Sequence, residues 1–141
     1  MKMVMGFEGE SFYGVAGSTA ATRMTESVDI SYNFDAEFGN TTPRGNSAAP
    51  PIDTQKITVR KVSLSINMLH DADDAVLEAM RAAMFNGNPI AVRLKDDVGG
   101  KGFDGDCYLT CGHDMPLRAE QTFKFTGTPC RDAGRSPQLY V

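Results

Sequence analysis

Tryptophan is absent from this 141-residue sequence, only two histidines occur, and the three cysteines, Cys107, Cys111 and Cys130, lack CxxC spacing. An odd, unclustered set supplies neither a disulfide framework nor a zinc ribbon, and reduced thiols in a cytosol-assembled protein fit it better. No apolar run approaches the roughly 20 residues of a membrane-spanning helix. Met1-Lys2-Met3-Val4-Met5 meets Gly6 and Glu8 before a signal-peptide core can form, so export by signal peptide is not expected. Cations are also in short supply: 14 Lys+Arg against 18 Asp+Glu leave a net charge of −4. That is the wrong sign for gripping phosphates over a broad surface, which disfavours tight nucleic-acid binding. No serine stands in GxSxG, and Gly99-Gly100-Lys101-Gly102 lacks the spacing and context of a phosphate cradle, so it reads as a hairpin tip.

What is present is the pattern of one ordinary domain, 41% hydrophobic and 23% charged, spanning residues 1–141 around a single core. The apolar spacing predicts a mainly β fold, an antiparallel β-sandwich or small barrel with one flanking α-helix over about residues 71–86. From Arg23 to Phe34, Met24, Val28, Ile30, Tyr32 and Phe34 alternate with Thr25, Ser27, Asp29, Ser31 and Asn33, Glu26 being the exception on the apolar side. A second strand, Lys56 to Met68, sets Val62, Leu64, Ile66 and Met68 against Lys61, Ser63, Ser65 and Asn67. Ile57 and Val59 have the opposite parity, which a bulge near Arg60 or burial of both faces would reconcile.

The helix is expected to start with Asp71 as its cap and to stop at Asn86-Gly87, with Val76, Leu77, Met80, Ala83 and Met84 as its apolar stripe. Phe85 lies off that stripe, a frayed-end core contact or a contact with another chain. Three further strands follow: Ile90–Leu94, Phe103–Cys111 with Asp104, Asp106, Tyr108 and Thr110 outward, and about Ala119–Thr128 with Phe123 and Phe125 inward. Three pieces are expected outside the core: an N-terminal arm (1–22), a long internal loop (35–55) and a C-terminal arm (129–141). Loops of that length are functional or order on binding, and their Phe12, Tyr13, Ile52, Leu139 and Tyr140, with Phe85 of the helix, are the candidate subunit-interface residues.

His70-Asp71 and His113-Asp114 invite an acid–base or metal reading. Asp71 is already used as a cap, however, and Cys107 and Cys111, about 13 Å apart along one strand, cannot share a metal. Catalysis, a metal and a cofactor are therefore not expected. The alternatives in other classes are a β-sandwich carbohydrate- or receptor-binding accessory module, which Trp 0 disfavours, and a His/Asp metal-dependent hydrolase.

Several strings, in order, resemble the tail tube (major tail) proteins of long-tailed bacteriophages. They are Val62-Ser63-Leu64-Ser65-Ile66-Asn67 leading into Asp71-Ala72-Asp73-Asp74, then Met80-Arg81-Ala82-Ala83 and Asn88-Pro89-Ile90-Ala91-Val92-Arg93. Lys101-Gly102-Phe103-Asp104-Gly105-Asp106-Cys107-Tyr108-Leu109 and Phe123-Lys124-Phe125-Thr126-Gly127-Thr128-Pro129 complete the set, over about residues 20–130. The resemblance, shared by tube subunits of contractile tails and type VI secretion systems, implies a structural virion protein that forms hexameric rings stacked into a tube for genome delivery. It implies self-assembly in the bacterial host cytoplasm, contact with tape measure, tail terminator and baseplate or adaptor proteins, and passage of DNA without specific binding. A sliding channel favours small hydroxyls and amides over Lys and Arg. On that ground Thr25, Ser27, Asp29, Ser31, Asn33, Ser63, Ser65 and Asn67 are candidates for the lumen wall, the alternative being a solvated outer sheet face.

Overall fold

The computed structural model describes residues 1–45 and 49–140, in two compact units, Met1–Tyr32 with Ser63–Val141, and Asn33–Val62. A 3-10 turn at Gly6–Glu8 precedes β1 (Glu10–Val15), β2 (Thr22–Arg23), β3 (Ser27–Asn40), β4 (Gln55–Leu69), α1 (Ala75–Asn86), β5 (Ile90–Lys95), β6 (Gly102–Asp114), β7 (Thr122–Cys130) and β8 (Gln138–Leu139). The fold is mainly β, as the alternation predicts. The strands form one antiparallel sheet in the order β2-β1-β5-β6-β7-β4-β3, with β8 added to β6, and this sheet is not closed into a barrel.

In the larger unit the core follows from strand parity. Cross-strand partners Leu64, Gly127 and Leu109 form one row across β4, β7 and β6, followed by Ile66, Phe125 and Cys111, then Met68, Phe123 and His113. Ile90 opposite Cys107, and Leu94 between Ser11 and Phe103, carry the apolar side on through β5 and β1. Gly127 lets the strands close on each other: a Cβ there would sit 3.3 Å from the Leu64 side chain. The helix adds Leu77 and Met80, both buried. Each large apolar side chain buried here contributes about 1.5–3 kcal/mol.

α1 begins later than expected. Asp74, not Asp71, is its cap, accepting from the Val76 N–H at 3.0 Å, because the Asp71 carboxylate is taken by the Asp73 N–H in a preceding turn. Its end is the expected one. Gly87 at φ 72 closes it, with the Gly87 and Asn88 N–H groups donating to the Met84 and Ala83 carbonyls.

The arms are a correction. Glu10–Val15 is not free chain but β1, laddered to β5 from Glu10 opposite Lys95 to Val15 opposite Ile90. Its alternation is muted because Ser11 and Gly14 occupy core-side and close-approach positions, where a Cβ on Gly14 would fall 2.8 Å from the Ala20 backbone. At the other end Pro129 and Cys130 belong to β7, and Leu139 pairs with Phe103 of β6. Between them residues 131–137 leave the sheet and return to the same edge of β6. Arg135 on this excursion bonds Asp104 at 2.8 Å and Asp106 at 3.0 Å, and Asp106 also accepts from the Gly17 N–H at 3.0 Å. The two aspartates expected to face outward are thus buried, because the chain's own tail covers them.

The smaller unit holds the outer parts of β3 and β4. The long loop is shorter than expected, since residues 35–40 continue β3 and Gln55 opens β4; its residues 46–48 lie outside the described residues. Thr41 N–H donates to the Thr54 carbonyl at 3.0 Å, Thr42 Oγ1 to Asp53 at 2.6 Å, and Lys61 pairs with Glu37 at 2.5 Å. β4 runs through Arg60 unbroken, and Ile57 and Val59 are exposed rather than buried.

Arg135→Ala leaves two buried carboxylates without their cation, so it is expected to cost about 3–5 kcal/mol. Urea unfolding compared with the unsubstituted chain checks this.

Candidate functional site

The side of β4, β7 and β6 opposite the core is built by the same parity. Ser65, Thr126 and Thr110 stand in one row, Asn67, Lys124 and Gly112 in the next, then Leu69, Thr122 and Asp114; Tyr108 faces Thr128. Beside Leu69, Gly112 and Tyr108, these are small hydroxyls and one amide on extended backbone, with one cation, Lys124, paired with Asp114 at 3.1 Å. The charges of these two rows therefore cancel locally, leaving a face without net charge that is made mostly of hydrogen-bonding groups. At its border the Tyr108 hydroxyl donates to Asp132.

Ser63, Ser65 and Asn67 belong to β4 on this polar parity. The structure places the other candidates differently. Ser27 Oγ lies 3.0 Å from Ser11 Oγ and donates to the Met24 carbonyl at 2.9 Å, next to the core side of β1. Ser31 lines a groove with Ile30 and Leu94, and Thr25 lies ahead of β3 beside a second groove. Asp29 is exposed in the larger unit, and Asn33 is exposed in the smaller one. Thr110, Thr122, Lys124, Thr126 and Thr128 complete the polar face. Their signal in the sequence is the outward alternation of β6 and β7.

Of the interface candidates, Phe12 and Tyr13 are half-buried in β1, with the Lys95 Nζ 5.5 Å from the Phe12 ring centroid. Leu139 is half-buried in β8, and Tyr140 is exposed with Lys101 Nζ 4.1 Å above its ring. Ile52 and Phe85 are exposed at 84% and 75%. Phe85 is therefore no core contact within the subunit.

The two histidines come together although their aspartates do not. His70 and His113 have ring centroids 5.8 Å apart, and His113 stacks on Phe123 at 4.0 Å with Arg81 5.0 Å from the same ring. His113 Nε2 is 2.8 Å from Gln121 Oε1, while Asp114 is held by Lys124 and Asp71 by a backbone N–H. Among the described residues no group of three or more His, Cys, Asp or Glu is placed to hold a metal. Burial, the leading cause, pushes the Cys107 thiol up to about 12 and also raises Cys111, which suppresses the thiolate needed for nucleophilic chemistry. For Arg135 burial acts downward, but the hydrogen bonds and charges of Asp104 and Asp106 outweigh it and raise the guanidinium.

No protein-family model matches the sequence, and no curated protein does. Solved structures do match the fold. The tail of an empty gene transfer agent particle, refined with C6 symmetry, is similar at TM-score 0.73 and 14% identity, over 97% of this chain and 98% of that one. The virion of a native gene transfer agent particle gives TM-score 0.69 at 12% identity, over 97% and 98%. The SPP1 tail tube gives TM-score 0.66 at 9% identity, over 99% and 81%. At these identities the agreement is one of fold, and it extends over nearly the whole chain.

Thr126 is exposed and its neighbours are solvated, so Thr126→Lys is expected to change stability by no more than about 0.5 kcal/mol, as read by a thermal melt.

Proposed function

We propose that this chain is a structural virion protein that self-assembles into hexameric rings stacked as a tail tube, the conduit for genome delivery, with no catalytic step. The observation that carries the reading is the end-to-end fold agreement with a C6-symmetric tail, 97% of one chain on 98% of the other. Open sheet edges support it. The path ends in the two-residue β2 and the 14-residue β3, and a long edge such as that of β3 invites pairing with another copy. In this reading neighbouring subunits join sheet to sheet around the ring, closing those edges.

The polar face of β4, β7 and β6 is the proposed lumen wall, with Ser63, Ser65 and Asn67 extended by Thr110, Thr126 and Thr128. Asp29, Ser31, Asn33, Thr25 and Ser27 stay as proposed rim or wall residues. DNA can slide along such a wall because each phosphate meets dipoles and no standing array of cations; every added Lys or Arg would hold a phosphate and release a counterion. Uncovered apolar side chains in the smaller unit, Phe34, Phe38, Ile57 and Val59, with Ile52 and Phe85, are the proposed contacts to other subunits. Tape measure, terminator and baseplate or adaptor proteins would meet the tube ends, and assembly would take place in the host cytoplasm before incorporation in the virion.

Negative-stain images of the concentrated, purified protein are expected to contain hollow rings or tubes with six-fold end views. A solution of monomers at every concentration would overturn the proposal. Ser65→Lys with Thr126→Lys is expected to leave tubes intact but to slow DNA ejection from virions carrying it; ejection at the unsubstituted rate would remove this face from the lumen.

A further inference from the structure

β6 runs 13 residues from Gly102 to Asp114, so the turns at its two ends are separated by roughly 40 Å of strand at about 3.3 Å per residue. At the far end the chain turns through Met115-Pro116-Leu117-Arg118-Ala119-Glu120 into β7. Leu117 is 96% exposed and Met115 67%, an apolar pair carried at the tip of a turn. At the near end, beside the β5–β6 turn, a groove of about 380 Å³ is lined by Val4, Met5, Ile30, Tyr32 and Leu94, with Lys95 and Asp96 on its margin. An apolar tip at one end and an apolar groove at the other are heterologous surfaces, the kind that join copies head to tail into an open filament.

We infer that the Met115–Leu117 turn of one subunit seats in the Val4–Met5–Ile30–Leu94 groove of a second copy in the next layer. This rests on the tube-subunit reading and names the contact that stacks its rings. Charge supports the occupant. The tip is flanked by Arg118 and Glu120, neither of which has an ion-pair partner within the subunit among the described residues. The groove margin offers Asp96 and Lys95, one of each sign in reach of a turn that presents one of each sign. Lys95 lies over the Phe12 ring and Asp96 accepts from the Lys101 N–H at 3.0 Å, so both margin charges are already held in place. Neighbouring Asp97 is occupied by Lys2 at 2.6 Å and is left out of the pairing. The groove's apolar walls exclude water from the seated Leu117, the condition under which a single side chain dominates an interface.

The test uses the full chain. Leu117→Asp, at an exposed turn, is expected to keep the melting temperature and the rings while raising the concentration needed for tubes about thirtyfold, the loss typical of a central apolar anchor. Glu120→Lys is expected to weaken stacking in a salt-dependent way, and Lys95→Glu in the same chain to restore it. Val4→Cys with Leu117→Cys is expected to give a reducible ladder of crosslinked subunits in tubes. Tubes from Leu117→Asp at the unsubstituted concentration, or no ladder, would overturn the inference while leaving the tube reading standing. Failure of the unsubstituted chain to form rings would instead remove that reading, and the stacking contact with it.

Discussion

The first half of β6 is bonded on both edges and covered on both faces, and the rest of the subunit is arranged around that demand. β5 takes one edge, β7 and then β8 take the other, and Phe103 and Cys107 enter the core while Asp104 and Asp106 point to the opposite side. Two carboxylates in that position would be costly without compensation. Arg135 and the Gly17 N–H supply it, tying the chain's tail and the turn after β1 to the centre of the sheet. The excursion of residues 131–137 between two stretches of the same edge is what delivers the guanidinium.

Much of this was legible in the sequence where period and packing agree. Leu64, Ile66, Met68, Phe123 and Phe125 alternate and are buried; Leu77 and Met80 recur at helical spacing and are buried; Asn86-Gly87 ends the helix. What was not legible has specific physical causes. β1 is held by backbone hydrogen bonds and buries a serine, so its side chains announce nothing. Asp104 and Asp106 read as outward because burial of a charge depends on a partner 29–31 residues away. Asp71, Asp73 and Asp74 offer three caps, and which one starts the helix is settled by a turn that consumes Asp71. β3 continues past Phe34 through Asp35, Glu37 and Gly39, whose composition is that of a loop, because charged residues on an edge strand are how open sheets avoid mispairing.

The polar face shows a similar division. Ser63, Ser65 and Asn67 are legible from one strand, and the sheet order is what enlists Thr110, Thr126 and Thr128 beside them. A one-dimensional pattern gives a strand its two sides; only the neighbour list turns three strands into a wall. The His70–His113 contact is likewise a product of topology, since Phe123 sits between residues far apart in the chain.

Phe34, Phe38, Ile57 and Val59 are uncovered on a lone subunit, and this has a kinetic side. A newly synthesised molecule carries the same exposed apolar side chains on β3 and β4 whether or not companions are present. If the chain assembles as proposed, dilute molecules stay apart and growth begins only after a lag, once enough accumulate to form a first closed nucleus. Such a threshold lets a pre-existing seed decide where and when polymer appears, so the timing of growth can be set from outside the subunit by whatever supplies that seed.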